Sequence, residues 1–136
     1  MPTRNVYIDA SDDVSKTAQR VFKTLSIQEW EERDSDNYPD GFYFKGTSGD
    51  IVIKISSAGN DAFTEYPFSV SLTIPSESAF QIDELLNAMV VELLQAGFPV
   101  ARQVSYKEGL FERELFGLGP SSTLIRRRDT RFIPED

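Results

Sequence analysis

The side chains best suited to chemistry in this chain are six carboxylates that lie close together around two aromatic rings. They are Glu29, Glu31, Glu32, Asp34, Asp36 and Asp40, with Trp30 and Tyr38 between them. Carboxylates at this density attract cationic groups, and an exposed aromatic ring can anchor a protein interface. We therefore predict that these eight residues form a binding surface for a basic protein partner.

Two other interpretations of the same segment are a solvated loop and a calcium loop. In the solvated loop, Trp30 and Tyr38 turn inward and complete the hydrophobic core. A calcium loop starting at Asp36 would place Tyr38 at its third position and Thr47 at its twelfth, where oxygen ligands belong. The spacing therefore argues against calcium, and we expect neither a metal nor another cofactor.

The residue types that the chain lacks exclude several kinds of active site. It has no histidine and no cysteine. Catalytic triads with histidine, thiolate nucleophiles and thiolate metal sites are therefore excluded, as are disulfides. We predict a protein that is not an enzyme and that works in a reducing, cytoplasmic compartment.

Length and composition are typical of one globular domain spanning residues 1–136. Hydrophobic residues make up 40% of the chain and charged residues 26%. This hydrophobic content is sufficient for a core that needs no disulfides. No stretch approaches the roughly 20 apolar residues that a membrane helix needs, so no membrane partner is expected. We expect a monomer or a small homo-oligomer.

The charge distribution favours a basic protein over a nucleic acid as partner. The net charge is -8, whereas phosphate binding requires an excess of Lys and Arg on one face. The basic cluster, defined as Arg126, Arg127, Arg128 and Arg131, is typical of a solvated or internally paired edge. It could instead contact phosphate or dock on the acidic segment.

Hydrophobic periodicity predicts an α+β fold. A short strand over Arg4 to Asp9 precedes a helix from Asp12 to Ser26 with Ser11 as its N-cap. The acidic segment follows as a loop or a frayed helical extension. Alternating residues then predict three strands, within Phe42 to Lys45, Ile51 to Ser56 and Phe68 to Ile74.

A second amphipathic helix is expected after these three strands. Pro75-Ser76-Glu77-Ser78 is a start signal, and an apolar stripe from Ile82 to Leu94 ends at Gly97. Val100 to Tyr106 is a further candidate strand, and Thr123 to Arg128 is a candidate edge strand. Between them, Phe111, Leu115 and Phe116 form an apolar group that fits either a strand or a single helical turn. The prediction is an antiparallel sheet of about four to six strands in the order β-α-β-β-β-α-β, with both helices on one face.

In size, charge and the acidic aromatic segment Glu29 to Asp40, the chain resembles immunity proteins that bacteria pair with secreted or contact-delivered toxins. The resemblance implies a stoichiometric inhibitor that binds a cationic cognate toxin, such as a nuclease, in the cytoplasm. An alternative resemblance is to type III secretion chaperones, which have a helix, three strands and a helix in series and bind effector segments as homodimers. A small carboxylate-based enzyme or ligand-binding domain is a third alternative.

Overall fold

The protein is an α+β fold in which two helices lie against an eight-stranded antiparallel sheet. The structure is a computed structural model that describes residues 2–75 and 79–134, without the side chains of residues 79 and 80. Along the chain the helices and strands are β1 (Thr3–Ile8), α1 (Val14–Thr24), β2 (Trp30–Asp34), β3 (Phe42–Ser48), β4 (Ile51–Ser57), β5 (Phe68–Thr73), α2 (Ala79–Gln95), β6 (Val100–Lys107), β7 (Leu110–Leu118) and β8 (Leu124–Phe132).

The strands of the sheet lie in the order β2-β3-β4-β5-β1-β6-β7-β8, and all neighbours are antiparallel. The first strand of the chain is therefore interior, between β5 and β6. The two ends of the sheet are β2 and β8. The predicted count of four to six strands is too low, because β2 and β7 do not show the alternation from which strands are inferred.

The main core lies between the two helices and one face of the sheet, as the apolar stripes predict. Helix α1 contributes Val21 and Phe22, and α2 contributes Leu86, Val90 and Leu93. These side chains pack on apolar residues of the sheet, namely Val6, Ile8, Phe44, Ile53, Ile55, Phe68, Val70, Leu72 and Val100. Burial of this apolar surface is the main favourable contribution to folding. We call this side the helix face and the opposite side the open face.

A smaller apolar cluster covers part of the open face. Phe63 lies in the short helical turn Asp61–Phe63, and its ring stacks on Tyr7 with centroids 4.1 Å apart. Ala62 and Ala101 complete the buried part of this cluster. The connection between β4 and β5 therefore closes over the sheet near β1, β6 and β7.

Both predicted helices are present, and α1 is shorter than predicted. Asp13, not Ser11, caps α1, because its carboxylate accepts a hydrogen bond from the Lys16 main-chain N–H at 2.8 Å. The start signal expected for the second helix falls largely on residues 76–78, which lie outside the described residues.

The acidic segment is where the prediction and the structure differ most. A loop is correct for residues 35–41 but wrong for Trp30–Asp34, which form β2 and pair with β3 over five residues. Glu and Asp have low strand propensity, so the local sequence does not indicate this strand. Pairing with β3, together with packing of Trp30 described below, outweighs that preference.

Candidate functional site

Strand β2 is an edge strand whose outer main-chain groups have no strand partner among the described residues. The Ser35 N–H donates to the Gly41 carbonyl at 2.9 Å, and the Thr47 N–H donates to the Glu29 carbonyl at 3.5 Å. Odd-numbered residues of β2 therefore direct their main-chain groups toward β3. Trp30, Glu32 and Asp34 direct theirs outward, where an extended chain could pair with them.

The pairing register divides the side chains of β2 between the two faces of the sheet. Trp30 lies opposite Gly46 and Glu32 lies opposite Phe44, both on the helix face. Glu31 lies opposite Lys45 on the open face. The predicted acidic cluster is therefore split by the strand, since successive side chains point to opposite sides.

Trp30 is held by the core on one side and open on the other. Its ring stacks on Phe22 of α1, with centroids 5.3 Å apart and an angle of 21° between the rings. Phe22 lies so close above Gly46 that a Cβ atom there would be 2.5 Å from the Phe22 ring. Trp30 nevertheless remains 40% exposed. It can therefore act as a fixed aromatic anchor at the edge.

The carboxylates of β2 differ in whether a basic side chain pairs with them. Arg33 donates a hydrogen bond to Glu31 at 2.7 Å, and this contact raises the pKa of Arg33. Glu32 and Asp34 are exposed and form no salt bridge within the described part of the chain. Glu29, just before β2, is also exposed and forms no salt bridge among the described residues. The excess negative charge therefore lies at Glu29, Glu32 and Asp34.

The remaining predicted residues lie in the connection between β2 and β3. Asp36 is exposed in this connection. Tyr38 is half-buried and stacks on Tyr43 at 4.5 Å, and desolvation by burial raises the pKa of Tyr38. Asp40 accepts a hydrogen bond from the Ser57 hydroxyl. Tyr38 therefore attaches the connection to the open face, and Asp40 attaches it to the end of β4. Neither residue is in one surface with Trp30.

A shallow depression of about 320 Å³ runs along this edge. Glu29, Trp30 and Glu31 line it together with Arg33, Lys45 and Thr47. Two acidic residues and two basic residues are among the lining, so the depression suits a polar peptide segment better than an apolar ligand.

At the other end of the sheet, two adjacent residues of β7 are buried charges that sequence reasoning missed. Arg113 and Glu114 are each only 3% exposed and point to opposite faces. Arg113 donates two hydrogen bonds of 2.8 Å to Asp129, one of 2.8 Å to the Ala62 carbonyl and one of 3.0 Å to Glu65. The alternation of side chains along a strand indicates that Arg113 and Glu114 face opposite sides of the sheet. No feature of the sequence indicates that both of these charged residues are buried.

These contacts change the protonation behaviour of the carboxylates. The hydrogen bonds from Arg113 lower the pKa of Asp129. Burial acts to raise the pKa of Glu65, but hydrogen bonds from Arg113 and Arg131 outweigh it, so the pKa is lowered. Hydrogen bonding to Asp129 also raises the pKa of Arg113. The cluster therefore stays fully ionised at neutral pH and ties β7 and β8 to the connection between β4 and β5.

Glu114 is surrounded by arginines on the helix face. Arg102 lies 3.0 Å from its carboxylate, Arg126 lies 3.4 Å away and Arg128 lies 3.8 Å away. Part of the basic cluster is thus paired within its own end of the sheet. Docking of this cluster on the acidic segment of the same chain is wrong, because β8 and β2 are opposite edges of the sheet.

Comparisons of the chain with models of protein families, with curated proteins and with solved structures found no match. Among the described residues, no helix has the length and apolar character to cross a membrane. Within residues 2–75 and 79–134, no group of three or more carboxylates is arranged to hold a metal ion. The geometry of the acidic edge is therefore the basis for a functional proposal.

Proposed function

We propose that this protein binds a cationic protein partner along β2 and acts as a stoichiometric inhibitor, in the manner of an immunity protein for a basic toxin domain. The observation that carries the proposal is an exposed edge strand that combines outward main-chain groups, uncompensated carboxylates and an anchored, partly exposed tryptophan. Each of these features contributes a different part of recognition.

The main chain supplies the geometry of binding. Trp30, Glu32 and Asp34 can exchange hydrogen bonds with an extended segment of the partner, which would become a ninth strand of the sheet. Such pairing positions the two proteins without requiring a particular partner sequence. The side chains beside the new strand then provide selectivity.

The carboxylates and Trp30 supply that selectivity. Glu32 and Asp34 project beside Trp30 on the helix face, so a partner with Lys or Arg next to an apolar group fits both features. Uncompensated negative charge also accelerates the encounter with a positively charged surface, and added salt weakens this acceleration. An inhibitor of this kind needs no catalytic residues, because occupying the partner's active surface is sufficient.

The test uses the product of a neighbouring gene as the candidate partner and charge reversal as the perturbation. In Glu32→Lys/Asp34→Lys, association with a basic toxin domain should slow by about tenfold or more at low salt, and the salt dependence of the association rate should flatten. The matched control is Glu84→Lys/Glu92→Lys, which makes the same charge change on exposed residues of α2.

Stopped-flow fluorescence measures these rates, and inhibition of the toxin in a nuclease assay measures the functional result. Both variants should keep the wild-type circular dichroism spectrum. Equal slowing by the two variants would mean that net charge alone drives association and would contradict the role of β2.

A further inference from the structure

The two edges of the sheet are oppositely charged, and each is long enough to pair with another strand. In β2, Glu31, Glu32 and Asp34 accompany one arginine, whereas β8 contains four arginines and one aspartate. Arg126, Arg128 and Arg131 also pair with carboxylates of the same copy, whereas Arg127 forms no salt bridge among the described residues. Neither outer edge has a strand partner among the described residues. A protein with two open edges of opposite charge is suited to join head to tail with a second copy of itself.

We propose that β2 of one copy pairs with β8 of another, which extends the antiparallel sheet from molecule to molecule. This inference goes beyond the proposed function and does not depend on the toxin partner. It follows from the direction of the strands, their main-chain orientation and the order of their side chains.

Strand direction permits the pairing without turning either molecule over. Seven antiparallel steps separate β2 from β8, so the two strands run in opposite directions within one copy. When a second copy lies beside the first with its helices on the same side, its β2 is therefore antiparallel to the first copy's β8. The combined sheet keeps the pairing type found throughout the fold.

Main-chain orientation also matches. The Ile133 N–H donates to the Gly109 carbonyl at 2.8 Å, so odd-numbered residues of β8 face β7 and even-numbered ones face outward. The outward residues of β2 are also even-numbered, as shown above. On both strands the outward residues carry their side chains on the helix face. Hydrogen-bonded pairs thus form between residues on the same face.

One register places complementary side chains opposite each other along the whole of β2. Trp30 lies opposite Phe132, Glu31 opposite Arg131, and Asp34 opposite Arg128. In the same register, Arg33 lies opposite Asp129 and Glu32 opposite Thr130. Phe132 is 64% exposed and Trp30 is 40% exposed, so the aromatic pair would also bury apolar surface that is now open to water.

Other registers are less complementary. A shift by two residues in either direction places Arg33 opposite Arg127 or Arg131, and like charges in opposed positions are destabilising. A shift by four residues pairs Glu31 with Arg127 but leaves Arg33 opposite Ile125 and separates the two aromatic rings. The register that pairs Trp30 with Phe132 is therefore the expected one.

Because the contact joins two different surfaces, it leaves one β2 and one β8 free at the ends of any open assembly. A terminal copy can still present its acidic edge to a basic partner, whereas β2 is covered in the interior copies. Self-association would thus limit how many copies can engage such a partner.

Sedimentation equilibrium of the purified full chain, without any partner, tests the proposal. The mass of the wild-type protein should rise with concentration at low salt and fall as salt is added. Glu32→Pro removes an outward N–H and leaves the bonds to β3 in place, so it should weaken self-association by about tenfold or more. Glu32→Thr, which keeps the N–H and loses the charge, should associate like the wild type.

Cysteine cross-linking tests the register, since the natural chain has no cysteine. Under oxidising conditions, Ser35→Cys/Arg127→Cys should form covalent multimers, because residues 35 and 127 are opposite in the expected register. Glu31→Cys/Arg127→Cys reports the register shifted by four residues and should remain uncross-linked.

Three results would overturn the proposal. They are a wild-type protein that remains monomeric at about 1 mM, equal association of the Pro and Thr variants, or preferential cross-linking of the shifted pair. Circular dichroism of every variant checks that the fold is intact. A failure here would leave the toxin-binding test unaffected.

Discussion

Replacing Arg113 by methionine should reveal how strongly a buried charge holds the C-terminal half of the sheet in place. Arg113 is 3% exposed and donates to Asp129, Glu65 and the Ala62 carbonyl at 2.8 to 3.4 Å. Methionine keeps an apolar side chain of similar length but removes every donor. Asp129 and the Ala62 carbonyl then lose their donor, whereas Glu65 keeps its hydrogen bonds from Arg131.

The expected loss in unfolding free energy is about 3 kcal/mol. Breaking a buried ion pair by removing one partner costs roughly 3 to 5 kcal/mol, and leaving a buried carbonyl without a donor costs about 1 to 3 kcal/mol. The lower end applies because the Asp129 and Glu65 side chains are 35% and 44% exposed and can regain water. A loss of this size corresponds to a decrease of roughly 10 °C in Tm.

Urea unfolding followed by circular dichroism measures the effect. Arg127→Met is the matched control, because Arg127 lies on β8, is exposed and forms no salt bridge among the described residues. Its substitution should change the unfolding free energy by no more than about 0.5 kcal/mol. A loss below about 1 kcal/mol in Arg113→Met would refute the reasoning. In Arg113→Met/Asp129→Asn the loss should be smaller than the sum of the single losses, since the groups interact directly.

Two further predictions concern pH and packing. The pKa values of Asp129 and Glu65 are lowered in the folded protein, so their stabilising contribution is complete above their unfolded pKa values, near about 4, and is lost as the pH falls through the folded values. Urea midpoints measured at several acidic pH values should therefore fall less steeply in Arg113→Met than in the wild type, and parallel curves would contradict the assignment. Gly46→Ala should cost about 2 kcal/mol, because the added Cβ would meet the Phe22 ring, whereas Gly117→Ala, which meets nothing within 4 Å, should change stability little. Thermal unfolding of both variants decides this, and equal melting temperatures would show that the space above Gly46 can adjust.

Helical periodicity was sufficient to predict α1 and α2, and strict alternation was sufficient for β4 and β5. In these segments the spacing of the apolar side chains along the sequence equals the period of the helix or of the strand. The pattern therefore follows from local geometry and is visible in one sequence. The placement of both helices on one face also follows, since the alternating strands offer one apolar face to cover.

The local sequence pattern did not predict β2, and at β7 it left a strand and a helical turn as alternatives. The apolar content of Trp30–Asp34 is too low to indicate a strand, and Leu110–Leu118 contains the adjacent charges Arg113 and Glu114. Whether a charged residue is buried depends on partners far along the chain, such as Glu65 for Arg113 and Arg102 for Glu114. Nothing in the local sequence identifies those partners.

The sequence by itself determined that a carboxylate-rich, aromatic-containing segment exists and that histidine and cysteine chemistry is absent. Only the tertiary structure decided that this segment is an edge, that Trp30 stays partly exposed while Tyr38 packs on Tyr43, and that the basic cluster lies at the opposite end of the sheet. The physical reason is that composition and periodicity are properties of neighbouring residues. Strand order depends on which distant segments bury the most apolar surface and satisfy the most main-chain hydrogen bonds together.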